Sequence, residues 1–141
     1  MVESELRSRF LAARSVRLAT VTPAGRPHVV PICFAMLDGE IWSAVDGKPK
    51  RTARLARLAH VASEPRVALL ADHYVDDDWT RLWWVRVDGV ARVVGVWEAG
   101  AAAALRALAE KYPQYRSDVP PGPLLAIRPE RWSGWEAATG A

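Results

Sequence analysis

With 141 residues, half of them apolar and a quarter charged, the chain has the size and balance of one soluble globular domain that can bury a core without cross-links. One cysteine, Cys33, excludes an internal disulfide framework and a cysteine-based zinc site, which fits a reducing cytoplasm. A net charge of +3, no apolar run near the ~20 residues of a membrane span and an N-terminus, MVESELRSRF, without the basic start and apolar stretch of a secretory leader argue against a nucleic-acid surface, membrane insertion and export.

In chain order, Glu3 to Ala13 reads as a helix, with Leu6, Phe10 and Ala13 at helical spacing. Val16 to Val21 reads as a strand, Pro23-Ala24-Gly25 as a turn, and His28 to Leu37 as a second strand. Asp38-Gly39 is a hairpin signal before a third strand, Glu40 to Val45, so the three strands are expected to form an antiparallel meander. Asp46 to Lys50 breaks the pattern, and Arg51 to Ala62 takes a helical period, with Leu55, Leu58 and Ala62 on one face and Arg51, Arg54 and Arg57 on another. Arg66 to Asp72 is a fourth strand, Tyr74 to Arg81 an acidic loop, and Leu82 to Val94 a fifth strand with a bulge or bend expected at Asp88-Gly89. Val96 to Tyr112 reads as a helix and the proline-rich Pro113 to Pro123 as a loop. A last strand covers Leu124 to Trp135, with Pro129 implying an edge or a break. No repeat and no internal boundary is visible, so one domain over residues 1–141 is expected. Five or six antiparallel strands with two or three peripheral helices suggest a small barrel.

Charge is local. Lys48, Lys50, Arg51, Arg54 and Arg57 fall within ten residues that contain no acid, while Asp76, Asp77 and Asp78 form an opposite cluster. Lys48, Lys50, Arg51 and Thr52 sit at or just before a helix N-terminus, where free N–H groups and the helix dipole attract anions. A phosphate is the natural guest, and a solvated basic helix face is the bland alternative. Trp83 and Trp84 must point to opposite sides of a strand, one into the barrel and one outward, with Arg86 on the side of Trp84 and Trp79 nearby. Plain core or interface packing is the competing reading for these tryptophans. His28, His60 and His73 show no metal-ligand spacing, and Cys33 reads as a small core residue.

The ordered segments VRLATVTPAGRPHVVPICFAML, SAVDGKPKRTARLARL and EPRVALLADHYVDDDWTRLWWVRVDGVARV resemble the pyridoxamine-phosphate-oxidase-like split β-barrel family. More narrowly, they resemble its branch assigned to the deazaflavin coenzyme F420. The resemblance runs from about Glu5 to Glu136. It implies a mainly β, antiparallel split barrel with peripheral helices (α+β), assembled as a homodimer with two equivalent clefts at the interface. Each cleft would hold a flat tricyclic cofactor. Its phosphate would lie against Lys48, Lys50, Arg51 and Thr52, with Arg54, Arg57 and Arg86 offering charge to an acidic tail beyond it, and its ring would be flanked by Val30, Pro31 and Ile32 of the second strand and Ser43 and Val45 of the third. Main-chain groups of those strands would reach the polar edge of the ring, and Trp79, Trp84 and Arg86 would close the cleft. Pro31, which has no N–H, suits a strand with an unpaired side.

Three functions follow from the resemblance. The first is an F420-dependent oxidoreductase of the cytoplasm that moves a hydride to or from a small organic substrate, with no obligatory catalytic side chain. The second is a carrier that binds the cofactor without turnover. The third is an FMN enzyme of the pyridoxamine-phosphate oxidase type, which needs a second phosphate site where the sequence offers one basic cluster.

Overall fold

A computed structural model describes residues 1–45 and 51–137, without the side chains of 51–55. Lys48 and Lys50 therefore lie outside the described residues, and Arg51, Thr52 and Arg54 contribute backbone only. Among the described residues, seven strands form one antiparallel sheet in the order β2-β1-β5-β6-β7-β4-β3.

Helix α1 spans Glu3–Ala12, strand β1 Val16–Val21 and strand β2 Pro27–Ile32. The β1–β2 turn is locked by the Thr22 hydroxyl, which accepts the Arg26 N–H at 3.0 Å, and by Gly25 at φ 83°. The expected second strand breaks after Ile32. Its later half, β3 (Ala35–Leu37), pairs with β4 (Glu40–Ala44) through the predicted Asp38-Gly39 hairpin, where both residues have positive φ.

The three-stranded meander expected from the sequence does not form, because β2 and β3 lie at opposite edges of the sheet. The reason is Phe34. Its ring is fully buried 4.8 Å from that of Phe10, and its N–H donates to the Tyr112 hydroxyl at 3.1 Å rather than to a neighbouring strand. Two residues, Cys33 and Phe34, thus join the two edges of a sheet curled into a split barrel.

Helix α2, Arg51–Ser63, begins where the helical period begins. Strand β5 covers Arg66–His73 and β6 Trp83–Val94, with a short 3-10 turn at Trp79–Arg81 between them. β6 pairs along its length with β7, Leu124–Glu136, and the ladder shifts register between Asp88 and Gly89, opposite Pro129. The expected bulge and the expected proline break are one irregularity. Past Ile127, β7 has no β4 partner, so Pro129 also lies on a free edge. The helix expected over Val96 to Tyr112 is shorter: α3 spans Ala101–Lys111, because Gly95 to Gly100 forms a turn in which Glu98 accepts the Gly95 N–H. The proline-rich loop contains one helical turn, α4, Gln114–Ser117.

Inward-pointing residues alternate as a half-buried sheet requires: Val16, Leu18 and Thr20 of β1 are buried and Arg17 is exposed. α1 closes the barrel with Leu6 and Phe10, and burying a side chain such as Phe10 contributes roughly 1.5–3 kcal/mol. A second cluster packs Ala101, Ala104 and Leu108 of α3 on Trp42, Leu124 and Ala126.

Candidate cofactor site

Two hollows adjoin each other on the outside of the barrel. The smaller has a volume of 210 Å3 and is lined by Ser15, Pro31, Ile32, Cys33, Ser43, Ala44, Arg57 and Tyr115. It forms where the end of β2, the end of β4 and α2 converge. It brings together three of the residues expected at a ring site: Pro31, Ile32 and Ser43. Pro31 is exposed on β2, an edge strand, where a missing N–H is tolerated.

Val30 instead turns into the barrel and packs on its core. Val45 has both main-chain groups engaged: its N–H donates to Pro123 O at 3.0 Å and its carbonyl accepts the Gly122 N–H at 3.3 Å. Only its side chain is left for a ligand. Sequence reasoning missed Ser15 and Tyr115, while Ala44 belongs to the Ser43-Ala44-Val45 stretch expected beside the ring. It placed Arg57 in the basic segment and Cys33 in the core, whereas both line the hollow. Arg51, at the start of α2, lies about 9 Å along the helix axis from Arg57, at 1.5 Å per residue.

A clasp lies next to Ser15 and Cys33 of this hollow in the chain. The Tyr112 hydroxyl accepts the Phe34 N–H and donates to Arg14 O at 2.9 Å, and the Arg14 guanidinium donates to Lys111 O at 2.6 Å. Lys111 Nζ donates to Leu11 O at 3.3 Å and sits 3.5 Å from the centre of the Phe34 ring. Burial, and then the nearby Arg14 charge, push the Lys111 ammonium down to about 8. Burial also pushes the Tyr112 phenol up. The clasp ties the α1–β1 link and the β2–β3 junction to the end of α3, flanking Ser15 and Cys33.

The larger hollow, 550 Å3, lies on the outer face of β2, β1, β5 and β6. Val29, Ala19, Ala68, Leu70 and Trp84 give it an apolar floor, and Arg17, Asp72 and Arg86 a charged rim. Arg86 Nε lies 3.5 Å from Asp88, and Arg17 lies 3.8 Å from Asp72. Trp84 and Arg86 are thus together, as expected, and Trp83 points the other way, packing on the core and stacking on His73. Trp79 is 65% exposed on the 3-10 turn and lines neither hollow. The acidic loop is engaged locally: Tyr74 donates to Asp76, and Asp78 accepts from the Thr80 N–H and hydroxyl. Among the described residues no group of three or more His, Cys, Asp or Glu could hold a metal ion.

The family model for pyridoxamine 5'-phosphate oxidase matches residues 2–136. The chain belongs to this family. A search of curated proteins gives no significant match. Among solved structures, a conserved hypothetical protein from Mycobacterium tuberculosis is 25% identical, with a TM-score of 0.75, 96% of this chain covered and 85% of that one. A FAD-binding protein from Mesorhizobium loti is 22% identical, with a TM-score of 0.74, covering 98% and 96%. The heme storage protein HutZ from Vibrio cholerae is 17% identical, with a TM-score of 0.72, covering 95% and 93%. The last two likenesses show the fold. No helix among the described residues is long and apolar enough to cross a membrane.

The small hollow suits part of a flat cofactor and not the whole. Ligand pockets usually measure roughly 300–1,000 Å3, and this hollow measures 210 Å3. Its lining combines apolar surface from Pro31, Ile32 and Ala44 with hydroxyls from Ser15, Ser43 and Tyr115 and the charge of Arg57, as an apolar ring with a polar edge would need.

Proposed function

We propose that the protein is an oxidoreductase that binds a flavin-type cofactor, F420 in the first place and FMN in the second, in a cleft shared by two copies of the chain. The observation that carries this reading is the convergence of Pro31, Ile32, Ser43 and Arg57 on one hollow beside α2. Such a cofactor supplies hydride transfer from its own ring, so the protein needs only to bind it, orient it and exclude water. Pro31 and Ile32 would cover one side of the ring. Ser43 and the neighbouring main chain would meet its polar edge. Arg57 extends positive charge from the basic start of α2 toward the hollow, so a phosphate and an acidic tail would both be drawn to that end.

The incomplete hollow and the apolar outer face favour a homodimer. Val29 and Leu70 are 59% and 37% exposed beside Trp84, and a second copy would cover this surface while supplying the missing wall. The Mesorhizobium loti relative, described as FAD-binding, supports a flavin in this fold.

The test is a pair of fluorescence titrations of the purified protein with F420 and FMN at low salt. F420 should bind more tightly, and its advantage should shrink as salt rises, because exposed charges are screened over ~8–10 Å. Tighter FMN binding would make this a flavoprotein. Binding of neither at micromolar concentration would overturn the reading. Steady reduction of an acceptor by reduced cofactor separates an enzyme from a carrier.

A further inference from the structure

Two of the three histidines meet inside the end of the barrel that α2 covers. His60 of α2 is buried, 7% exposed, and its Nδ1 lies 3.0 Å from the Thr20 hydroxyl of β1. His28, the register partner of Thr20 on β2, lies edge-on to it, with ring centres 4.8 Å apart. His28 Nδ1 is itself buried and has no hydrogen-bond partner. This small polar cluster therefore joins α2 to both strands of the β1–β2 hairpin.

The neutral His60 ring can pair its Nδ1 with the Thr20 hydroxyl, whereas an imidazolium must donate from both nitrogens. Protonated His60 would place a cation against the His28 ring and away from water. Among the described residues no carboxylate is ion-paired or hydrogen-bonded to either ring. On β1, the inward positions are Val16, Leu18 and Thr20, and Arg17 points outward. On β5 and β6, Arg66, Asp72, Arg86, Asp88 and Arg92 lie on the outward-pointing positions, alternating with buried Val67, Leu69, Val85 and Val87. Just past the end of α2, Glu64 is held by Arg66 at 2.5 Å. Desolvation first and the charge of His28 second hold the His60 imidazole below its ordinary 6.5.

We propose that His60, seated against Thr20 and His28, is a proton-operated latch that holds α2 on the barrel when neutral and releases it in mild acid, weakening the cofactor phosphate grip at the start of the same helix. The link to the cofactor rests on the function proposed above; the latch itself does not. The sign follows from linkage. The unfolded chain takes up the proton near pH 6.5 and the folded chain only at lower pH, so the stability of the α2 contact falls as pH drops below about 6.5.

The test is amide hydrogen exchange of α2 in the cofactor-free protein at pH 7.5 and 5.5, corrected for intrinsic exchange. Protection of α2 should fall about tenfold in the acid sample relative to β5 and β6. In His28→Gln/His60→Gln it should change less than threefold. Should the double variant fail to fold, His28→Gln alone, half-buried on an edge strand, should show at least a halved response. Protection that does not depend on pH, or that depends on it equally in the variants, overturns the latch. A titration with FMN at pH 7.5 judges the cofactor reading separately. If FMN binds there, its affinity should drop at pH 5.5 in the wild type and hold in the variant. An equal drop in both overturns the coupling.

Discussion

Arg17 and Pro31 face each other across the β1–β2 hairpin, yet each lines a different hollow: Arg17 the apolar-floored one on the outer sheet face, Pro31 the small one beside α2. The two hollows therefore meet at one rung of a ladder. A second copy of the chain seated on the outer face would reach the edge of the small hollow within that rung.

Leu70→Asp places a charge in the middle of the exposed apolar surface, opposite Arg17 and Arg86 in the sheet register. If this face joins two copies, the variant should run as a 15.5 kDa species in light scattering while the wild type runs at twice that mass. Its far-ultraviolet circular dichroism should be unchanged, because Leu70 points away from the core. Flavin affinity should fall at least tenfold with the loss of the second wall. A wild type that is monomeric at micromolar concentration removes the basis for this prediction.

Replacing Lys50 and Arg51 together by alanine removes two charged donors from the basic segment. Each charge-assisted contact to phosphate is worth roughly 1.5–3 kcal/mol, so cofactor affinity should drop by about two to four orders of magnitude with an unchanged melting temperature. Adding Arg57→Ala should weaken binding further for F420 more than for FMN, since only F420 carries a glutamate tail. An unchanged Kd would reduce the segment to a solvated helix face.

Lys111 offers a direct electrostatic check. Reductive methylation with 13C-formaldehyde and an NMR titration should place its midpoint near 8, well under its ordinary 10.5. Arg14→Gln should move the midpoint upward by removing the nearby cation, the second cause of the shift after burial. Phe34→Leu should move it downward, because the ring face favours the ammonium. Between about pH 8 and 10.5 the folded chain binds fewer protons than the unfolded chain, so the Lys111 contribution to stability rises with pH across that window. Lys111→Met should flatten that rise in a series of urea melts.

Gly89→Ala tests the bulge. A Cβ there would lie 2.6 Å from Arg128 O and 3.1 Å from Ile127 Cγ2, against backbone that β6–β7 pairing holds in place. The variant should lose about 1–3 kcal/mol in urea unfolding, the usual cost of overpacking a tight site. A loss under about 0.5 kcal/mol would show that the bulge yields.

Much of the architecture was legible because local signals agreed. β1 falls on its expected bounds, α2 starts at its expected residue, and Asp38-Gly39 turns as a hairpin signal should. The break at Cys33-Phe34 was not legible. Apolar residues run unbroken from Val29 to Leu37, and the residue that ends the strand does so by burying its ring against Phe10 and giving its N–H to a tyrosine 78 positions away. No local pattern carries that information. The same holds for the site. Pro31, Ile32 and Ser43 could be chosen by resemblance, but Tyr115 and Ser15 enter the hollow through tertiary packing of segments whose own sequence marks them only as loop or helix end. The backbone partners of Val45, Gly122 and Pro123, lie equally far along the chain.

The sheet order also dictates a timetable for synthesis. The β3–β4 hairpin leaves the ribosome early, but among the described residues its only other neighbour in the sheet is β7: Ile41 must wait for Ile127, and Ala44 for Leu124. Until then Trp42 and Ile41, both buried in the finished fold, have no sheet to lie on. Pairings so distant in sequence close slowly, and an unpaired hairpin with an apolar face invites the wrong partner. The nascent chain is therefore most vulnerable to aggregation in the interval before β7 emerges, and a ribosome stalled between α3 and β7 would hold it there.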